Sequence, residues 1–503
     1  MIMTTSKIRT QEKLAYPHTL LNVLQHLRHD VVGEGTSIFE KWRSLITREA
    51  FIPSGLNLAY YLALRRHDMR EIQLALTPWG LSSLGRIEAR VLPNLDGVIA
   101  TLGAVCGKDP TFLPKHPPLQ AFFEGDRLLK THTDEVFGHR SNNRTVRIMV
   151  TLPTAAATDD NFILDLVKRG TDCLRINCAH DTQTEWEAMI QRIREAEKIT
   201  RRCCKIFMDL GGPKLRLQTV IPPEGQKRIH IGDGLLLTRE QPVTPHESHF
   251  QAHFSLAQVL DQVKVGATIW IDDGHIGGKV ETVGTEGVLV RITHARPKGE
   301  KLRVDKGINF PDTPLDLNPL TDKDRQDLDF VATHGDMIGY SFVQKASDIE
   351  MLQWELEQRL GKDWRKVAVV AKIETLTAVK NLPELIIHGA GKQPFGVMIA
   401  RGDLAVEIGY QRLAEMQEEI LWLCQAAHVP VIWATQVLEN LVKNSIPSRA
   451  EMTDAAMAER AECVMLNKGA YVGEAVTILD EVLCRMQAHQ LKKTPQLRAL
   501  HSW

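Results

Sequence analysis

Three residues, Lys372, Glu374 and Asp403, have the types and spacing needed for chemistry on a phosphoryl group. The first two close the apolar segment VAVVAKIE (367–374), and the third lies in VMIARGDLAVE (397–407). A pair of carboxylates suits a hard divalent cation, and the lysine adds a fixed positive charge beside it. Phosphoryl transfer mainly requires that groups be positioned and that negative charge be neutralised. The sequence therefore predicts a divalent-cation binding site of the kind used in phosphoryl transfer.

The elements that must position these residues begin near residue 146, where apolar strand patterns alternate with amphipathic helical segments. The predicted strands are 146–152, 173–178, 205–209, 337–343, 367–373, 397–400, 429–434 and 463–466. Eight such strands indicate a (β/α)8 barrel, whose catalytic residues gather at the C-terminal strand ends. The polar residues that fall there are Arg175, Asn177, Asp209, Ser341, Lys372, Glu374, Asp403, Thr435 and Asn467.

The rest of the chain has different patterns of apolar residues. Before residue 146 the apolar residues recur at helical spacing, as in Leu20, Leu24, Leu27 and Val31. Between the third and fourth strands, short β-rich runs are separated by Gly and Pro, and Asp272-Asp273-Gly274 predicts a tight turn between two of them. The predicted parts are a helical region (1–145), a first barrel part (146–217), an inserted β domain (218–304), a second barrel part (305–490) and a tail (491–503).

Composition limits the partners and the compartment. The 503 residues include 61 Lys and Arg against 62 Asp and Glu, so no long-range field favours nucleic acid or a membrane surface. No apolar run is long enough to span a bilayer, and the first thirty residues do not resemble a signal peptide. Eight scattered cysteines without metal-ligand spacing favour a reducing compartment. We therefore expect a cytoplasmic protein.

Nine short stretches, in this order, carry a resemblance to a known family. They are RINCAH (175–180), DLGGPKLR (209–216), DDGHI (272–276), KGINFP (306–311), SFVQKASD (341–348), KIE (372–374), ARGDLAVE (400–407), ATQVLE (434–439) and PSRAEMTD (447–454). Over residues 146–485 the sequence resembles pyruvate kinase. The resemblance implies an α/β fold: a TIM (β/α)8 barrel with an inserted small β-barrel domain, here preceded by an all-α region. It also implies transfer of a phosphoryl group from phosphoenolpyruvate to ADP, giving pyruvate and ATP.

The resemblance assigns roles at the phosphoryl group. Glu374 and Asp403 would hold Mg2+, with Mn2+ as an alternative. Lys372 would stabilise the phosphoryl group in transit as a point charge. Arg175 would grip the same group, because its planar fork matches the geometry of phosphate.

The remaining roles concern the substrate carboxylate, the enolate and the nucleotide. The backbone at Gly402 and Asp403, which opens a helix, would bind the carboxylate. Thr435 would lie on the path that protonates the enolate. The residues implied for the nucleotide are Asn177, His180, Arg216 and Lys306.

A monovalent-cation site is where the chain departs from the family's commoner version. That version holds K+ with an Asn, a Ser, an Asp and a backbone carbonyl. Asn177 and Asp209 are present, but Ala179 replaces the serine, and Lys214 stands where a glutamate is usual. An ammonium can supply the positive charge that K+ would otherwise bring. We therefore predict activity without K+.

Other departures leave alternatives open. TLPT (151–154) and Asn467-Lys468-Gly469 differ from the family at the nucleotide side, and Lys468 could itself contact phosphates. The sequence ends at Trp503, which predicts a variant without the usual C-terminal domain. A metal-dependent lyase on phosphoenolpyruvate or pyruvate, or a non-catalytic regulatory protein that binds phosphoenolpyruvate and nucleotide, remains an alternative. The sequence leaves open the nucleotide preference, any effector, a homo-oligomer and the role of residues 1–145.

Overall fold

In the described chain, the regular secondary structure before the first strand is entirely helical. The computed structural model describes residues 14, 16–139 and 143–496; residues 1–13, 15 and 140–142 of the predicted helical region and 497–503 of the predicted tail lie outside the described residues. The helices within residues 16–139 are α1 (Pro17–Trp42), α2 (Ile52–Leu64), α3 (Arg70–Leu76), α4 (Val91–Val105), α5 (Leu119–Phe122) and α6 (Glu124–Phe137). Leu20, Leu24, Leu27 and Val31 form the buried face of α1, as predicted.

The strand and helix alternation then begins. Its first elements are β1 (Arg147–Thr151), α7 (Phe162–Lys168), β2 (Cys173–Asn177), α8 (Gln183–Thr200) and β3 (Lys205–Asp209). The Thr182 side chain and Glu185 form a capping box at the start of α8. The pattern of buried strands separated by amphipathic helices is that of a parallel sheet covered on its outer face.

An inserted sheet follows β3. Its strands are β4 (Leu217–Ile221), β5 (Gly234–Thr238), β6 (His249–Phe254), β7 (Thr268–Ile271), β8 (Ile276–Val283), β9 (Gly287–His294) and β10 (Ile308–Asn309). Their order is β10-β7-β8-β9-β5-β6-β4, and a bridge between Arg216 and Gly307 joins the two edges at the base. The predicted tight turn between β7 and β8 is confirmed: Asp272, Asp273 and Gly274 all have positive φ.

The chain then completes the barrel. The elements are α9 (Asp322–His334), β11 (Met337–Tyr340), α10 (Ala346–Leu360), β12 (Ala368–Ile373), α11 (Leu376–Lys380), α12 (Leu382–Ala390), β13 (Phe395–Ala400), α13 (Arg401–Ile408), α14 (Tyr410–Ala426), β14 (Val431–Ala434), α15 (Glu439–Asn444), α16 (Arg449–Met457), β15 (Cys463–Leu466) and α17 (Val472–Met486). Within residues 143–496, eight parallel strands close in the order β1-β2-β3-β11-β12-β13-β14-β15. The predicted (β/α)8 barrel is confirmed, with strand ends that differ from prediction by up to three residues.

The helical region packs against the barrel and shares its main core. The Trp42 indole donates to Glu384 at 3.0 Å, and His428 lies 2.9 Å from the Ser54 hydroxyl. Val136 and Phe137, at the end of α6, join the apolar cluster at the N-terminal ends of the strands. The C-terminal end of α6 therefore lies at the end of the barrel opposite the polar strand ends.

Two further features complete the described chain. A short hairpin of β16 (Gln490–Leu491) and β17 (Thr494–Pro495) follows α17 and is tied to the helical region, because Lys493 pairs with Glu88. Among the described residues, no helix has the length and apolar character needed to cross a membrane.

Candidate functional site

Strand register brings the predicted residues to one mouth of the barrel. Asn177 at the end of β2 pairs with Asp209 at the end of β3. Lys372 pairs with Met398, so that Glu374 and Asp403 follow neighbouring strands. Because all the strands run parallel, their C-terminal ends converge on the same face of the barrel.

Lys372 lies at the centre of this mouth and is largely buried, with 13% of its side chain exposed. Its Nζ is 2.6 Å from the Ser341 hydroxyl, 3.3 Å from Glu374 Oε1 and 3.4 Å from Asp209 Oδ1. Burial opposes the ammonium charge, but the two carboxylates outweigh it and raise the pKa of Lys372. The residue is therefore a fixed cation inside the mouth.

Asp209 is the buried anion that holds both predicted phosphoryl-binding cations. Its Oδ2 accepts from Arg175 Nε at 2.8 Å and from Nη2 at 2.6 Å. Burial would raise the pKa of Asp209, yet Lys372 and Arg175 lower it. A side chain on Gly339, in the neighbouring strand, would place Cβ 2.4 Å from Asp209 Oδ1. Glycine is required there, because any larger residue would displace the carboxylate.

Lys214 lies on the Asp403 side of the mouth. Its Nζ is 2.8 and 3.0 Å from the two oxygens of Asp403. Among the described residues, no hydrogen bond joins Lys214 to Asn177 or Asp209, the other members of the predicted monovalent-cation set. Lys214 and Asp403 also border a cavity of about 230 Å3. The cavity lies between the barrel and the stem of the inserted sheet; the stem is formed by residues 210–216 and 295–321.

The backbone at the start of α13 is held by the strand beside it. Gly402 donates its N–H to Thr435 Oγ1 at 3.0 Å, and Thr435 adopts a φ of 66°. Thr435 in turn donates its hydroxyl to the Ala434 carbonyl at 2.6 Å. Arg401 donates to the Thr435 carbonyl at 2.6 Å and forms an ion pair with Asp454. The structure thus brings together the predicted carboxylate-binding backbone and the predicted hydroxyl.

The residues predicted for the nucleotide surround the rim less tightly. Lys306 pairs with Asp272 at 2.8 Å, and Arg216 donates to the Asp305 carbonyl at 2.8 Å. Asn177 turns its amide oxygen to the N–H of Ala179 at 3.2 Å. Partial burial, followed by the charges of Lys468 and Arg216, lowers the pKa of His180. Arg216 and Lys468 are therefore among the cations whose charge reaches His180.

The chemistry of the donor set fits a magnesium ion. Burial raises the pKa of Glu374, which Lys372 offsets in part, while the charge of Asp403 adds to the rise. Two carboxylates that repel each other in this way are stabilised by a cation between them. No group of three His, Cys, Asp or Glu side chains in the described chain is arranged to hold a metal. Mg2+ is commonly held by one or two carboxylates together with substrate oxygens and water, so two suffice.

Sequence reasoning assigned no role to two polar residues of this site. Ser341 accepts from Lys372 and donates to the Leu210 carbonyl at 2.7 Å; its position at a strand end was the available signal. Glu407, one helical turn after Asp403, accepts from Asn309 at 3.2 Å, and burial raises its pKa to about 7. The spacing of four residues between the two acids indicates one helix face.

Comparisons with known proteins agree with this geometry. The family model "Pyruvate kinase, barrel domain" matches residues 143–476. The chain is 32% identical over 337 residues to a pyruvate kinase of Dictyostelium discoideum, covering 65% of this chain and 63% of that protein. It is 30% identical over 361 residues to a pyruvate kinase of Mycobacterium intracellulare, covering 70% of this chain and 72% of that protein.

A solved structure of a pyruvate kinase is also similar to this chain. The crystal structure of a pyruvate kinase from Cryptosporidium parvum matches with a TM-score of 0.61 and 27% identity, covering 71% of this chain and 72% of that one. The chain spans less than two thirds of the length of the Dictyostelium relative. The barrel, its order of elements and its matching stretches together place the chain in the pyruvate kinase family.

Proposed function

We propose that this protein transfers the phosphoryl group of phosphoenolpyruvate to ADP, giving pyruvate and ATP. The observation that carries the proposal is the buried ammonium of Lys372, which Asp209, Glu374 and Ser341 hold at the barrel mouth. A cation fixed in this way needs no reorganisation when charge develops on a phosphoryl group. Arg175, held on Asp209, supplies a second fixed cation.

In the proposed reaction the bond between phosphorus and the enol oxygen breaks, and a β-phosphate oxygen of ADP forms the new bond. The enolate that remains takes a proton at its methylene carbon and becomes pyruvate. Thr435 is proposed to lie on that proton's path, and the Gly402 N–H is proposed to bind the substrate carboxylate. Glu374 and Asp403 would hold Mg2+, which neutralises phosphate oxygens when bound.

We further propose that turnover needs no K+, because Lys214 brings a positive charge to the mouth. The support is the pairing of Lys214 with Asp403 and the alanine at position 179. The rate should be the same in K+ and in tetramethylammonium buffers, and Lys214→Glu should introduce a requirement for K+. A strict K+ requirement in the unaltered protein would refute this part of the proposal.

The decisive test is a lactate-dehydrogenase-coupled assay with phosphoenolpyruvate and MgADP. Pyruvate formation should fall by roughly a hundredfold to a thousandfold in Lys372→Met, which is the usual effect of removing such an electrostatic group. Lys380→Met is the matched control, because this exposed lysine borders the nearby cavity without pairing with an acid among the described residues. No pyruvate above the Lys372→Met level, together with retained binding of phosphoenolpyruvate, would favour the non-catalytic regulatory alternative.

A further inference from the structure

A second polar cavity lies within the inserted sheet and its stem, apart from the barrel mouth. Its volume is about 310 Å3, and its lining contains five Lys or Arg side chains, two carboxylates and one histidine. The surplus of cations is local, because the whole chain carries a net charge of −1. A cavity of this size and charge suits a small anion rather than a macromolecule.

Three of these cations are not matched by acids. Arg228, Lys301 and Arg303 form no ion pair with a carboxylate in the part of the chain that the structure describes, whereas Arg296 and Lys306 pair with Glu300 and Asp272 at 2.8 Å each. Arg228 reaches only the Gly299 carbonyl, at 2.9 Å. A ligand would therefore meet three available cations without breaking an existing pair.

Backbone pairing holds these cations close to one another. Ile229 and Glu300 exchange both of their hydrogen bonds, at 2.8 and 2.9 Å, in an antiparallel bridge. Arg228 precedes one partner and Lys301 follows the other, which makes them cross-strand neighbours. Like charges in that arrangement repel, so an anion between the two side chains would be favoured.

We propose that this cavity binds a small anion that carries two or more phosphoryl groups. Guanidinium and ammonium groups are the side-chain groups that recognise phosphate oxygens. Three arginines and two lysines line the cavity. Lys306 also lines it, so the cavity shares one residue with the set that we propose to bind the nucleotide. The anion is either the phosphate tail of the nucleotide or a separate phosphorylated effector. The inference rests on the proposed function only for the first of these sources.

The test is calorimetric titration of the full chain with pyrophosphate and with inorganic triphosphate, without metal. The double variant Lys301→Ala/Arg303→Ala should weaken binding by at least about tenfold, because the charge-assisted hydrogen bonds of two cations to phosphate oxygens would be lost. Both side chains are exposed, so the fold should persist. Lys279→Ala, an exposed lysine of β8 outside the cavity, should bind as the unaltered chain does.

A competition arm separates the two sources. If ADP prevents pyrophosphate binding and the double variant raises the KM for ADP, the cavity holds the nucleotide's own phosphates. If pyrophosphate still binds at saturating ADP, the cavity holds a separate effector. Absent binding, or equal affinity in the double variant, overturns the inference. Because binding is measured without turnover, a lack of kinase activity would leave it standing.

Discussion

The ammonium of Lys214 donates hydrogen bonds to both carboxylate oxygens of Asp403, at 2.8 and 3.0 Å, although Asp403 is one of the two carboxylates proposed to hold Mg2+. The ion pair joins residues that are 189 positions apart in the chain. A divalent ion must therefore compete with an internal cation for one of its ligands.

This competition predicts that Lys214→Gln binds Mn2+ more tightly in the absence of substrate. A partly buried ion pair is worth about 1 kcal/mol, so the dissociation constant should fall by roughly fivefold. Electron paramagnetic resonance of free Mn2+ measures it directly. Lys380→Gln, which removes a lysine from the border of the same cavity, should leave the constant unchanged. Weaker binding in Lys214→Gln would show that Lys214 supports the metal site.

The contact between Thr435 and Gly402 predicts a loss of proton transfer in Thr435→Val. The change removes the hydroxyl that accepts the Gly402 N–H, and kcat should fall roughly a hundredfold, which is typical for a positioned proton-transfer group. The informative readout is deuterium uptake at the methyl group of pyruvate, followed by nuclear magnetic resonance. Thr435→Ser should restore it. Unchanged deuterium uptake in Thr435→Val would remove Thr435 from the proton path.

Close packing of α6 against Ala89 and His428 predicts that Gly125→Ala destabilises the protein. An added Cβ would lie 1.8 Å from the Ala89 carbonyl oxygen and 2.6 Å from His428 Nε2. We expect a loss of about 2 kcal/mol or more in the free energy of unfolding, measured in urea. In Gly33→Ala, where a Cβ would meet nothing within 4 Å, stability should hold or rise by about 0.5–1 kcal/mol. Equal unfolding midpoints for the two variants would contradict the packing argument.

His428 predicts how stability depends on pH. Burial lowers its pKa from 6.5 to about 4, while Ser54 and the Ala89 carbonyl hold its ring at 2.9 and 3.0 Å. Below pH 6.5 the unfolded chain binds the proton more readily than the folded protein does. The stabilisation, on the order of 3 kcal/mol, is therefore complete above pH 6.5 and is lost as the pH falls towards 4.

Thermal unfolding between pH 4 and 7 checks this dependence. The change in melting temperature over that range should be smaller in His428→Gln than in the unaltered protein. His29→Gln, an exposed residue of the same helical region, should follow the unaltered protein. The same slope in His428→Gln would assign the acid sensitivity to other groups, among them the nearby His132, whose pKa burial also lowers.

Much of the fold follows from local pattern. Alternation of apolar strands with amphipathic helices after residue 146 predicted eight strands, and each is present. They could be predicted because a parallel strand is buried on both faces and therefore consists of a continuous run of apolar residues. The barrel then requires the strand ends to converge, which is why Arg175, Asp209, Lys372 and Glu374 could be grouped before their distances were known.

Side-chain partners and packing between distant segments did not follow from the pattern. The sequence grouped Lys214 with Asn177 and Asp209 as a substitute for a monovalent cation, but it did not indicate that the ammonium would pair with Asp403. Nothing local links Arg228 to Lys301 or Ser54 to His428; strand pairing and helix docking bring them together. A long side chain chooses among several partners within its reach, and only the closed barrel and the sheet on its stem fix which of them is near. Local periodicity therefore determines which segments become helices or strands. The arrangement of charges in the site depends instead on contacts between residues far apart in the chain.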